Sequence, residues 1–308
     1  MKITVVGSGA MGSVFGGILA EGGHDVTLFD TWCEHVKAIN ENGLHLSGVS
    51  GDRLIHVRAT CTAEGIPCQD LIIILVKSGC TAAAAEASRI FSGPGTMVLT
   101  LQNGLGNLEV IASILGPGHA IGGTTSHGAF VLGPGAVRHA GAGETILGEF
   151  KGGLTPRVER LAETLSRAGL PARAVENTDG PVWSKLLVNA GINALTALLR
   201  VPNGVLTENP WARELLAMAV EEGAAIARGR NIVLSFSDPV AHCLDVAAKT
   251  GGNISSMLQD VRAGRKTEIG VLNLALAEEG KKMGIPAPVN SILASLVQAI
   301  ENSYRDRI

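Results

Sequence analysis

Lys185, Asn189 and Asn193 recur at intervals of four within an otherwise apolar segment, PVWSKLLVNAGINALTALLR from Pro181. In an α-helix that spacing stacks the three side chains up one face. A solvated face would carry more than one charge, so the stripe is expected to line a cleft. Desolvation lowers the pKa of a lysine among apolar neighbours, which eases proton transfer to a developing alkoxide. Its charge also polarises a carbonyl and attracts a carboxylate, as reduction of a 2-oxo acid would require.

A second polar cluster runs from Asn253-Ile254-Ser255-Ser256 to Thr267-Glu268. Asn253 is expected to cap a helix with Ser256 one turn on, and Glu268 to open the next helix with Thr267 as its cap. Capping alone accounts for much of this pattern. The functional reading is that Glu268 binds a substrate hydroxyl or orients Lys185, while Asn253 and Ser256 contact polar substrate atoms.

The N-terminus supplies a different chemistry. A β-branched run, Lys2 to Val6, leads into Gly7-Ser8-Gly9-Ala10-Met11-Gly12, then an apolar helical stretch, then a second strand ending in Asp30. Strand, glycine turn, helix, strand and acid follow in the order of a Rossmann-like dinucleotide-binding unit. Gly7 turns the chain, Gly9 admits a pyrophosphate, Gly12 lets the helix approach the sheet, and the helix N-terminus offers free N–H groups. A carboxylate at Asp30 accepts hydrogen bonds from ribose hydroxyls and repels a 2′-phosphate, favouring NADH over NADPH. Lys37 and Arg53 are the cations that folding could bring close enough to offset it.

Ligands of α/β sheets bind beyond the C-terminal ends of the strands. Two strand ends carry polar groups, Lys77-Ser78 and Gln102-Asn103-Gly104. Lys77 reads as a cleft residue or a solvated end. Asn103 reads as an amide facing the nicotinamide ribose or the substrate, or as turn chemistry.

The elements that must position these groups fall into two blocks. Alternating strands and helices fill the first 175 residues, with continuous apolar runs at 70–76 and 96–101 typical of parallel strands covered on both faces. Residues 44–60 read as two short strands around a polar turn, and 128–150 as strands in a hairpin arrangement. After Asp179-Gly180-Pro181 almost everything is helix-compatible: about 181–200, 210–229, 238–249, 253–261, 268–283 and 288–302. The expected architecture is α/β, a dinucleotide-binding domain at 1–176 followed by an all-helical substrate and catalytic domain at 181–308, with a cleft between.

The 308-residue chain is 46% hydrophobic and 17% charged, with a net charge of −3, an ordinary globular balance. Aromatics at 3% and the lack of basic runs argue against nucleic acid. The strongest apolar runs, such as 71–76, are too short to span a bilayer, and a strand begins at residue 2, leaving no room for a leader. Cys33, Cys61, Cys68, Cys80 and Cys243 form no CxxC pair and read as reduced thiols in the cytoplasm. The histidines show no metal-ligand spacing, so no metal is expected; His127 is a candidate for the cleft border. An apolar patch on the helical domain could support a homodimer.

Taken together, GSGAMG, VKS at 76–78, QNG at 102–104, His127-Gly128, WSKLLVNAGINALTA from 183 and NISSMLQDVRAGRKTEI from 253 resemble the ketopantoate reductase (2-dehydropantoate 2-reductase) family over nearly the whole chain. The resemblance implies reduction of 2-dehydropantoate to (R)-pantoate for pantothenate synthesis, normally with NADPH. It also implies catalytic roles for Lys185 and Glu268, cofactor contacts from Lys77 and Asn103, and substrate contacts from Asn103, Asn189, Asn253 and Ser256. The chain departs from the family pattern at Asp30-Thr31, where NADPH users commonly carry arginine. It departs again at Gly270 and Leu274, where the usual pattern has an acid and a glycine. Other readings are a related NAD-dependent dehydrogenase of another 2-oxo or 2-hydroxy acid, or a non-catalytic NAD(P)(H)-binding regulator.

Overall fold

The computed structural model describes residues 1–305; the last three residues of the expected helical domain, 306–308, lie outside them. Two compact units emerge: Met1–Gln102 with Gly106–Thr178, and Asn103–Leu105 with the chain from Asp179 onward.

The first unit opens with β1 (Lys2–Val6), α1 (Ala10–Glu21), β2 (Asp25–Phe29) and α2 (Cys33–Asn42). Three short strands follow, β3 (Leu44–Gly48), β4 (Arg53–Ile55) and β5 (Arg58–Thr60). Next come β6 (Leu71–Ile74), α3 (Thr81–Ser88), β7 (Met97–Thr100), α4 (Asn107–Leu115) and β8 (Ala120–Thr125). The unit ends with β9 (Gly128–Gly133), β10 (Ala136–Gly141), β11 (Thr145–Glu149), α5 (Pro156–Ala168) and β12 (Ala172–Ala174).

Eight strands form one sheet in the order β12-β11-β8-β7-β6-β1-β2-β5. From β5 to β8 the neighbours are parallel, while β11 enters antiparallel to β8 and makes the sheet mixed. Alternate residues on the central strands feed opposite faces. Ile3, Val5, Leu71 and Ile73 pack into one apolar cluster, and Val6, Ile72 and Ile74 into another. Covering both faces requires continuous aliphatic runs, which is the pattern the sequence carries.

A second sheet, β4-β3-β10-β9, contains the expected β9–β10 hairpin and the β3–β4 pair around residues 49–52. Two corrections apply to the reading of these segments. The 44–60 stretch holds a third strand, β5, which leaves the pair to join β2. Cys33 and Cys61 are not separate thiols: the structure pairs them as a disulfide across 5.6 Å between Cα atoms, leaving Cys68, Cys80 and Cys243 free. Residues 28 apart in sequence meet because β5 lies beside β2, whose end leads into α2.

The second unit is helical: α6 (Asp179–Leu199), α7 (Val205–Glu208), α8 (Pro210–Gly229), α9 (Pro239–Lys249), α10 (Ser256–Arg262), α11 (Asn273–Met283) and α12 (Pro288–Asn302). α6 is long and apolar enough to cross a membrane by composition, but 67% of that stretch is buried within the protein. It is the core helix, packed against α8, α9, α10 and α12. At Gly191 an added Cβ would lie 2.7 Å from Val220 Cγ2, so the glycine sets how closely α6 and α8 approach.

Two helix starts differ from expectation. Ser255, not Asn253, caps α10, its hydroxyl accepting from the Leu258 N–H at 3.1 Å. Glu268 opens no α-helix: a single 3₁₀ turn at Ile269–Val271 follows it, and α11 begins at Asn273.

Candidate active site

The nucleotide-type residues gather at the ends of β1, β2 and β6, where the strand order reverses. Gly7 has φ +93° and donates its N–H to the Phe29 carbonyl at 2.8 Å. A Cβ there would sit 2.8 Å from the Val76 nitrogen, so only glycine lets the loop lie against the end of β6. A Cβ on Gly12 would meet the Gly7 carbonyl oxygen at 1.9 Å. Gly9 differs, since nothing lies within 4 Å of its added Cβ; packing does not require glycine, and the open face suits a bulky anion. α1 then begins at Ala10 with no side-chain cap, leaving donors of Ala10, Met11 and Gly12 for a phosphate. These features fit a dinucleotide.

Asp30 is half-buried at the end of β2. The buried Ser8 hydroxyl donates to its Oδ2 at 3.3 Å and the Trp32 N–H to its Oδ1 at 2.9 Å. The carboxylate is thereby oriented while keeping lone pairs for a diol. Lys37 pairs with Glu41 at 3.8 Å and Arg53 with Glu21 at 2.7 Å, so both cations are engaged elsewhere. His35 beside Asp30 stays neutral at pH 7, because burial lowers its pKa more than the aspartate raises it.

Lys77 is exposed just past β6. Sequence reasoning missed what holds that strand end: Gln102 Nε2 donates to the Val76 carbonyl at 2.7 Å and to Thr81 Oγ1 at 2.9 Å. A glutamine before Asn-Gly carried no local signal of this cross-link.

The polar stripe of Lys185, Asn189 and Asn193 lies in the helical unit, as does Glu268. Lys185 is half-buried on α6, and burial brings its ammonium pKa down to about 8, with Glu268 pulling the other way. Asn189 follows one turn on, half-buried, and Asn193 another turn on at 7% exposure. Asn103, although it follows β7 in sequence, groups with the helices: its Nδ2 donates to Glu268 Oε2 at 3.0 Å. The Leu105 N–H donates to the Val271 carbonyl at 3.0 Å. Gly104 has φ +80°, and its Cβ would lie 2.2 Å from that carbonyl oxygen, so the QNG glycine is what permits the pairing.

Asn253 and Ser256 are exposed at the start of α10. That start is tied to α6 by Thr196 Oγ1, which donates to Ser255 Oγ at 2.7 Å one turn beyond Asn193. Of the departing positions, Gly270 is exposed with nothing near its added Cβ, and Leu274 packs on the helical core. His127 is buried within the first unit. It is 6% exposed, with Nδ1 2.9 Å from His139 Nε2, and burial followed by the His139 interaction lowers its pKa to about 4.

A lysine of lowered pKa beside a carboxylate that is itself held by an amide can deliver a proton to a carbonyl oxygen and bind a neighbouring hydroxyl. Comparison with known proteins shows which family the chain resembles. Residues 3–152 match the family model described as ketopantoate reductase PanE/ApbA, and residues 177–301 match its C-terminal counterpart. The 2-dehydropantoate 2-reductase of Halobacterium salinarum is 40% identical, over 97% of this chain and 98% of that one. A PanE/ApbA family ketopantoate reductase from Ralstonia eutropha superposes with a TM-score of 0.91 at 33% identity, covering 99% and 100% of the two chains. D-mandelate dehydrogenase, solved with NADH and anilino(oxo)acetate, superposes with a TM-score of 0.93 at 32% identity, covering 98% and 99%. The chain belongs to the ketopantoate reductase family of oxidoreductases.

Proposed function

We propose that this protein reduces 2-dehydropantoate to (R)-pantoate with a nicotinamide cofactor, in the cytoplasmic synthesis of pantothenate. The Lys185–Glu268–Asn103 group carries the reading. When bound, the reduced nicotinamide supplies a hydride for the 2-oxo carbon. Lys185 polarises the carbonyl and delivers the proton to its oxygen. Glu268, oriented by Asn103, accepts from the substrate's hydroxyl end. Asn189, Asn193, Asn253 and Ser256 hold the remaining polar atoms. Residues 1–176 serve as the dinucleotide-binding domain, with Gly7 to Gly12, Asp30 and Lys77 as cofactor contacts, and 181–308 as the catalytic domain.

Asp30 supports NADH as the preferred cofactor, because its oriented charge would oppose a 2′-phosphate and both candidate cations are paired elsewhere. The same residue favours a second reading, an NAD-dependent dehydrogenase of another 2-oxo or 2-hydroxy acid, as the name of the mandelate enzyme illustrates. Trp211, Leu215 and Met218 expose an apolar stripe along α8, which supports a homodimer.

The test is steady-state reduction of 2-dehydropantoate with NADH and NADPH in parallel. Efficient turnover with a large NADH preference is expected. Turnover only of other 2-oxo acids would favour the second reading, and NADH binding without any turnover would leave a regulator.

A further inference from the structure

Asn273 is fully buried at the first position of α11, among Ile269, Leu272 and Leu276 of the helical core. Its Nδ2 donates to the Ala190 carbonyl of α6 at 3.0 Å and to Asn290 Oδ1 at 3.0 Å. Asn290, equally buried on α12, donates to the Ala219 carbonyl at 2.9 Å and to Glu222 Oε2 at 2.8 Å. The Glu222 carboxylate in turn accepts the backbone N–H groups of Val289 at 2.8 Å and Asn290 at 2.9 Å. The orientation of Asn273 is therefore set by a chain of bonds from α8 through α12.

This network is expensive. Asn273 Oδ1 is buried with no hydrogen-bond partner, and an amide acceptor buried unpaired is destabilising. Replacing Asn273 by an apolar residue would in turn strip the buried Asn290 Oδ1 of this donor, so the two amides are kept or lost together. What the side chain does accomplish is geometric. It bonds α6 at the residue immediately after Asn189, five residues from Lys185, and it sits five residues after Glu268. Between Glu268 and Asn273 the chain makes only one 3₁₀ turn and a break at Leu272 (φ −106°, ψ −103°), so no helical ladder holds it in place. One end of this segment is held by Asn103 and Leu105, bonded to Glu268 and Val271. The other end is held by Asn273.

We infer that Asn273 is a positioning residue for the reaction: by tying the segment that bears Glu268 to the backbone of the helix that bears Lys185, it sets the carboxylate against the ammonium. The inference rests on the proposed roles of Lys185 and Glu268, and its test does not require turnover. The pH dependence of Lys185 acylation by acetic anhydride, read by mass spectrometry, reports the protonation of that lysine directly. Glu268 raises the Lys185 pKa, so displacing the carboxylate moves the titration to lower pH.

Asn273→Leu is expected to move the Lys185 titration to lower pH and to reduce kcat about tenfold, in the range that small misplacements cause, with NADH affinity unchanged. Asn273→Ser serves the same purpose if leucine is not accommodated. In a Glu268→Gln background the Asn273 substitution should add no further shift, because the two residues act through one interaction. Leu293→Ala, which thins the α12 core at a residue outside this network, should lower stability without moving the titration. An unmoved titration in both Asn273 variants, a shift that adds to that of Glu268→Gln, or an equal shift in Leu293→Ala would overturn the inference. If Glu268→Gln alone leaves Lys185 unmoved, the assignment of the pair fails and this one fails with it.

Discussion

At the scale of the residue, the proposed proton transfer turns on one lysine. Lys185 must be protonated to donate, and burial has brought it to about 8, so kcat/KM for reduction should fall as pH rises through that value. Lys185→Ala should lower kcat by about 10²–10⁴-fold, the usual contribution of a positioned proton donor, while NADH binding measured by fluorescence titration stays unchanged. A parallel loss of binding would remove the lysine from the proton-transfer step. The common face of Lys185, Asn189 and Asn193 was legible from their spacing, because helical periodicity alone produces it. The Asn103–Glu268 bond was not, since it joins residues 165 apart and depends on Gly104 yielding room to a backbone carbonyl. The partners of Gln102 and of the Ser8 hydroxyl were not legible for the same reason: each acts on an atom that only folding brings near.

At the scale of the element, the glycine turn shows how closely sequence and packing can agree. Gly7 and Gly12 are both required by backbone atoms, whereas Gly9 is not. Gly12→Ala should therefore disrupt the turn itself, pushing the Gly7 carbonyl away and abolishing NADH binding in a calorimetric titration, with Lys185 still titrating near its wild-type pH. Retained affinity would show that α1 can shift without loss of the site. Helix starts were harder to read. Asn253, Ser255 and Ser256 are all competent near a helix start, and the choice of Ser255 depends on α10 docking against Thr196. The start of α11 was obscured because Asn273 faces the core instead of capping from its surface.

At the scale of the whole molecule, the buried histidine pair couples folding to acidity. His127 is held neutral by burial and by His139, and it titrates at about 4 in the native state against 6.5 when unfolded. The unfolded chain binds the extra proton first, so its contribution is complete above pH 6.5 and is lost as pH falls toward 4. Between pH 7.5 and 5 this site should cost about 2 kcal/mol of unfolding free energy in urea titrations, and His127→Gln should lose less over the same interval. Equal losses would show that other groups govern the acid limb.

Local patterns by themselves determined much of this protein. Alternation and continuous aliphatic runs specify a sheet covered on both faces, glycine placement specifies the turn after β1, and four-residue periodicity specifies the polar face of α6, because each depends only on near neighbours and backbone geometry. Tertiary structure alone decided the pairing of Cys33 with Cys61, the burial of His127 against His139, and the grouping of Asn103 with the helices. It also decided the bond by which Asn273 reaches α6. In each of these, long loops of chain close to bring distant polar atoms together, and which atoms meet is set by the packing of whole elements, not by any local spacing.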